Sequence, residues 1–231
     1  MPPLTLLHAF FGFIALIVAP LAMISRKGGD WHRRWGKTYF WSMAMVAVTG
    51  VGLGVVRENW LMAMVAVFAF HMIASGYRAL YLKRLHEGQR PQLMDRILMI
   101  SAGIVNSGIF LWGAVNLALG HRTSGPIIFT AFGVIGLLFV WRDFQRFYSH
   151  NNDKRAWLYA HITGFLGGYI ATVSAFSAVN LEMLQPRWLQ WLWPTLIGVP
   201  LIMLWVRHYR RKFAAGGRSR TLFDIRIRVQ R

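Results

Sequence analysis

The chain reads as an all-α, polytopic transmembrane bundle of seven helices, and three observations carry that reading. Seven apolar runs of about 20 residues, the length a helix needs to cross hydrocarbon, are separated only by short polar connections. Of the 231 residues 55% are hydrophobic and 15% charged, whereas soluble domains carry about 25% charged residues. The basic residues alternate from connection to connection: 23 of the 26 Lys and Arg fall after helices 1, 3 and 5 and in the C-terminal tail, and three elsewhere, at Arg57, Arg122 and Arg187. That alternation is the positive-inside pattern, and it predicts an outside N-terminus and a cytoplasmic tail. An odd number of helices requires the same opposition of termini.

Helix 1 is expected over 4–25, with His8 about one turn in and a kink at Pro20. MPPLTLLHAF has no basic leader, and no small-x-small site precedes Arg26-Lys27, so the first helix is expected to be retained. The stretch 26–41, RKGGDWHRRWGKTYFW, reads as a cationic loop with a Gly28-Gly29 hinge. Its Trp31, Trp35, Tyr39 and Trp41 suit the headgroup level. Helix 2 (38–56) carries Gly50, Gly52 and Gly54 for close packing. Helix 3 (60–81) holds His71 near mid-depth, and the polar loop 83–96, with Asp95, is expected to be solvated.

Helix 4 (97–119) places Asn106 and Ser107 near the centre, and helix 5 (127–147) ends in a cluster of Arg142, Asp143 and Arg146. Helix 6 (157–179) opens with His161 and contains Gly164-xxx-Gly168 and a run of small residues, the mark of the most tightly packed helix. Helix 7 (188–206) is interrupted by Pro194 and Pro200, which free carbonyls that need other partners. Residues 1–212 form the helical domain and 213–231 a polybasic tail, expected to lie loosely on anionic lipid, with a short strand as the other reading of its alternating end.

The net charge of +18 would suit nucleic acid in a soluble protein, but its alternation assigns it to topology. The expected partners are therefore the lipid bilayer, anionic lipid at the cytoplasmic face, and a membrane protein or a second copy docked on the small-residue faces. The absence of cysteine removes disulfides, thiolate metal sites, iron–sulfur clusters and covalent haem attachment. No HExxH, GxSxG, P-loop or dinucleotide fingerprint is present.

Ionisable residues inside the membrane cost about 2.5–3.5 kcal/mol when charged, so the histidines are the candidates for chemistry. His71 is read as a neutral imidazole bonded to Asn106 or a serine of a neighbouring helix, or as a ligand or proton relay. Haem b would need two axial histidines at one depth, and His8 and His71 sit about 10 Å apart along the bundle at about 1.5 Å per residue. His32 and His161 fall at nearly one level, where Asp30, Arg78, Arg142 and Asp143 can join them in a hydrogen-bond network, a proton relay or a metal site. A second, outer grouping comprises His8, Asn116, Asn180, Glu58 and Glu182. No Asp or Glu is expected within the membrane to support a pump.

His8-x3-Gly12, the loop KGGDWHRRWGKTYFWSM, His161 followed by GGYIATVSAFSAVN, and WPTLIG at 193–198 together resemble an uncharacterised bacterial integral-membrane family, domain of unknown function 2306. The likeness spans 8–206, and KGG-x-x-HR-x-x-G is its most specific part. It implies a multi-pass protein of the bacterial inner membrane with a histidine-bearing first loop, and marks His8, Gly12, Lys27, Gly28, Gly29, His32, Arg33, Gly36 and His161 as positions to test. It implies no reaction.

The leading expectation is a membrane protein that binds a small cofactor or metal, haem b or a metal ion, through His8, His32, His71 and His161 with Arg33 and Asn106, and takes part in haem- or quinone-linked redox chemistry. Within that set, His32 and His161 are the metal candidates. A small-solute or proton-coupled transporter is the second expectation, from the broken helix 7 and the polar midplane of helices 3 and 4. A structural or assembly partner of a membrane complex is the third.

Overall fold

The computed structural model describes residues 2–149 and 153–215. Among these, seven α-helices follow in order: α1 (Pro3–Ile24), α2 (Asp30–Val56), α3 (Trp60–Ala79), α4 (Leu93–Ala118), α5 (Ser124–Tyr148), α6 (Ala156–Asn180) and α7 (Arg187–Ala214). All seven are long and apolar enough to cross a membrane, and no strand occurs among the described residues. The strand expected in the tail lies outside them, and α7 runs two residues past the expected domain boundary.

The stretch 26–41 differs from expectation. Only 25–29 are non-helical; His32, Arg33 and Trp35 already belong to the first turns of α2. The reversal is achieved by Gly28, whose φ of +75° is open to glycine, and by Gly29, where a Cβ would stand 3.0 Å from the Arg26 carbonyl oxygen. Five cations and three tryptophans in sixteen residues look like a solvated loop, yet they also suit the exposed first turns of a helix. Likewise the loop 83–96 is shorter than expected: α4 starts at Leu93, and Asp95 is buried, closing a capping box with Gln92.

α3 is the hub, packing on α2, α4, α5 and α6, while α1 pairs with α2, α4 with α5, and α6 with α7. Glycines set these approaches. A Cβ on Gly164 would lie 2.6 Å from the Gly76 Cα and from the Met72 carbonyl oxygen, so α3 and α6 touch backbone to backbone. Gly168 faces Ile73 in the same seam. Gly133 receives Phe110 and Gly136 receives Asn106 between α5 and α4, and Gly54 meets Ala63 at the α2–α3 corner. Pro20 cannot donate to the Leu16 carbonyl; the Tyr169 hydroxyl of α6 reaches that oxygen at 3.4 Å.

Filling the α3–α6 seam should be costly, whereas Gly12 has nothing within 4 Å of a built Cβ. Gly164→Leu is expected to destabilise by about 1–3 kcal/mol or more, the usual cost of overpacking. Thermal unfolding in mild detergent, with Gly12→Ala unchanged beside it, measures the difference.

Candidate functional site

At one end of the bundle the start of α2, the end of α3, the start of α4, the end of α5 and the start of α6 converge. The side chains that meet there form two adjoining groups, and α3 contributes to both.

The first group is buried and ionic. His71 Nε2 lies 3.1 Å from Asp143 Oδ2, the Ser75 hydroxyl donates to Asp143 Oδ1 at 2.7 Å, and the Arg146 guanidinium sits 2.7 Å from the same Oδ1. His71 and Ser75 are one turn apart on α3, and Asp143 and Arg146 one turn apart on α5, so two i, i+3 or i, i+4 pairs face each other across the seam. Asp143 is 4% exposed and His71 1%. Three donors on one carboxylate replace the water it loses, and Arg146 supplies the countercharge.

Because a carboxylate paired with Arg146 only accepts, the Nε2 of a neutral His71 carries the proton. Nδ1 is then a bare lone pair, buried and without a protein partner. Next to this group, Arg78 grips Asp95 with Nε at 2.6 Å and NH2 at 2.9 Å, and NH2 also reaches Gln92 at 3.0 Å. A cleft of about 10 Å³ separates the two ion pairs, walled by Ser75, Arg78, Asp95, Asp143 and Arg146. That is close to the volume of a single water, among five polar side chains.

The second group lies at the α1–α2 reversal. His32 Nδ1 is 2.9 Å from the Ala22 carbonyl oxygen, and Lys27 Nζ donates to the carbonyls of Ala22, at 3.1 Å, and Met23. The orphan carbonyls at the α1 C-terminus are thus met by side chains, with a cation at the negative end of the helix dipole. His161 Nδ1 reaches the Gly76 carbonyl oxygen at 3.2 Å, and the His32 and His161 rings stand 6.4 Å apart, edge to face. Carbonyls only accept, so both imidazoles carry the proton on Nδ1 and leave Nε2 as a lone pair. Burial pushes the Lys27 amine from its ordinary 10.5 down to about 8.

The remaining candidates disperse. His8 Nδ1 pairs with the Thr49 hydroxyl at 2.9 Å, at the opposite end of the bundle. Asn116 and Asn180 each bond back to their own helix, so the outer grouping does not assemble around His8. Asn106 donates to the Ala102 carbonyl and is not bonded to His71; its Oδ1 is buried without a partner, against Gly136. Arg33 pairs with Asp30 on an exposed face of α2. Of the residues expected beside His32 and His161, Asp143 instead holds His71 and Arg78 holds Asp95.

The expectation of no acidic residue within the spans is corrected by Asp143, which lies buried inside α5. The signals that reveal it are the His71–Ser75 spacing on an otherwise apolar helix and an acid placed three residues before Arg146. Among the described residues no group of three or more His, Cys, Asp or Glu is close enough to hold a metal ion. His71 offers iron only Nδ1, since its Nε2 is committed to Asp143.

Seven apolar helices around a buried histidine–carboxylate–arginine cluster place the chain in the class of polytopic helical membrane proteins. No family model, curated protein or solved structure matches it.

Asp143→Asn leaves Arg146 buried beside a neutral amide. It is expected to cost about 3–5 kcal/mol, the scale for breaking a buried ion pair, with part regained in Asp143→Asn/Arg146→Gln. Denaturant unfolding of the single and double variants tests this; Asp30→Asn, at an exposed pair, should leave stability nearly unchanged. Lys27 gives a pH signature. Between about 8 and 10.5 the unfolded chain binds a proton that the folded chain does not, so stability should rise with pH through that window. Unfolding midpoints of the native protein and Lys27→Met across that range should differ in slope.

Proposed function

We propose that the protein is a multi-pass inner-membrane protein that exchanges protons at His71 and Asp143 in the course of moving a small solute. The N-terminus lies outside and the tail in the cytoplasm, a reading supported by the alternation of basic residues. The single observation that carries the proposal is the buried His71–Asp143 pair, whose imidazole has Nε2 on the carboxylate and an unpartnered Nδ1. A proton arriving at Nδ1 makes an imidazolium whose Nε2–H still points at Asp143. The pair can therefore hold or release one proton without rearranging. Pro194 and Pro200 within α7 support a transporter, since broken helices line the pathways of many such proteins.

A second reading is favoured by a different observation. His32 and His161 each have Nδ1 fixed on a carbonyl, the arrangement that orients histidine ligands toward a metal through Nε2. Both histidines are also among the positions that the resemblance to the uncharacterised membrane family marks for testing.

Proteoliposomes carrying a pH-sensitive dye should show proton uptake above empty vesicles, reduced at least tenfold by His71→Ala and Asp143→Asn in protein that remains folded. Equal flux in His71→Ala would remove the proposal. An absorption spectrum with elemental analysis of gently purified protein tests the second reading: stoichiometric metal or a Soret band, lost in both His32→Ala and His161→Ala, is the expected signature.

A further inference from the structure

Between α3, α5, α6 and α7 lies an apolar cavity of about 90 Å³ that the proton-exchanging pair does not use. Its α5 wall is Phe132, Ile135, Phe139 and Arg142, a single helical stripe with steps of three, four and three residues. Ten residues of rise at about 1.5 Å make that wall about 15 Å long. A volume so small spread over such a length is about one hydrocarbon chain wide. For comparison, a compact cavity of about 150 Å³ takes up benzene. At Gly167 α6 packs closely on two of the lining residues, since a Cβ there would stand 3.0 Å from Phe139 Cζ and 3.1 Å from the Met72 sulfur.

Arg142 is the one charged residue on the wall. It is exposed, and no described residue bonds to it, in contrast to Arg78 and Arg146, which are each committed to a carboxylate. A cation with free donors at one end of a narrow apolar slot complements a ligand with one anionic head and one chain. The wall also adjoins the buried pair in sequence: Met72 follows His71 on α3, and Arg142 precedes Asp143 on α5. Movement of either helix to admit a chain therefore moves a member of the pair.

We propose that this cavity binds a single-chain hydrophobic carboxylate, of the fatty-acid type, with its carboxylate on Arg142 and its chain along Phe139, Ile135 and Phe132. The assignment rests on the transporter reading, for which it names the substrate class. Carboxylate and chain are recognised separately, so the alcohol of the same chain length fits the slot and lacks the partner for Arg142. A two-chain phospholipid exceeds the width of the slot.

The test is equilibrium binding of cis-parinaric acid, a fluorescent single-chain carboxylate, to the full chain in nanodiscs of phosphatidylcholine. Saturable binding is expected, displaced by laurate and at least tenfold less well by dodecanol. Arg142→Gln should weaken it at least tenfold and Arg142→Lys much less. Val199→Trp, on the exposed α7 edge of the slot, should block it while leaving unfolding behaviour unchanged. No saturable binding, equal binding in folded Arg142→Gln and Val199→Trp, or displacement by phosphatidylglycerol but not by laurate would overturn the assignment. Binding that survives in His71→Ala, together with absent proton flux in the native protein, would sink the proton-exchange reading and leave this site standing. Proton flux without binding would do the reverse.

Discussion

Removing a carboxylate from water inside a helical bundle obliges its neighbours to replace every hydrogen bond it has lost, and Asp143 organises one end of this protein in that way. Arg146 neutralises it, Ser75 donates to one oxygen and His71 to the other. These groups come from α3 and α5, so the ion cluster sets how the two helices sit against each other. Apolar packing alone would specify this less sharply, because hydrocarbon side chains tolerate small slides and a buried charge does not.

α3 can serve so many partners because it carries little bulk. Gly76 lets α6 approach until the backbones touch, and in doing so brings His161 within reach of the Gly76 carbonyl. One residue earlier Ser75 turns to α5, and two residues later Arg78 crosses to α4. Within eight residues the helix therefore holds three neighbours by polar contacts, on three faces. The buried Nδ1 of His71 stands out in that setting. Around it the other donors and acceptors of the cluster are matched, which leaves this nitrogen as its one unmatched atom.

The two ends of α1 illustrate how differently histidines can be used on one fold. At one end His8 closes a contact with Thr49 of α2; at the other His32 helps Lys27 satisfy the last carbonyls of α1. The Gly28-Gly29 reversal makes the second arrangement reachable, since it folds the first turn of α2 back under the end of α1. The polar stretch that dominates the sequence by eye is thus foremost a helix terminus and a helix start joined by a tight turn.

Seven helices and their approximate limits were legible in the sequence, because crossing hydrocarbon demands apolar runs of fixed length and forbids unsatisfied backbone. Two glycine contacts were legible for a similar local reason: Gly164-xxx-Gly168 repeats on one helical face, and Gly54 closes the Gly50, Gly52, Gly54 series. Partner choice was not. Asn106 lies at a plausible depth for His71, yet it bonds within its own helix, and Asp143, expected beside His32 and His161, holds His71 instead. Asp95 reads as a loop acid, but a capping box and Arg78 draw it inside. Such pairings depend on the rotation of each helix about its axis and on which helices become neighbours. Both are decided by side chains distant in sequence, so only the tertiary structure could place a carboxylate, a serine and an arginine around one histidine.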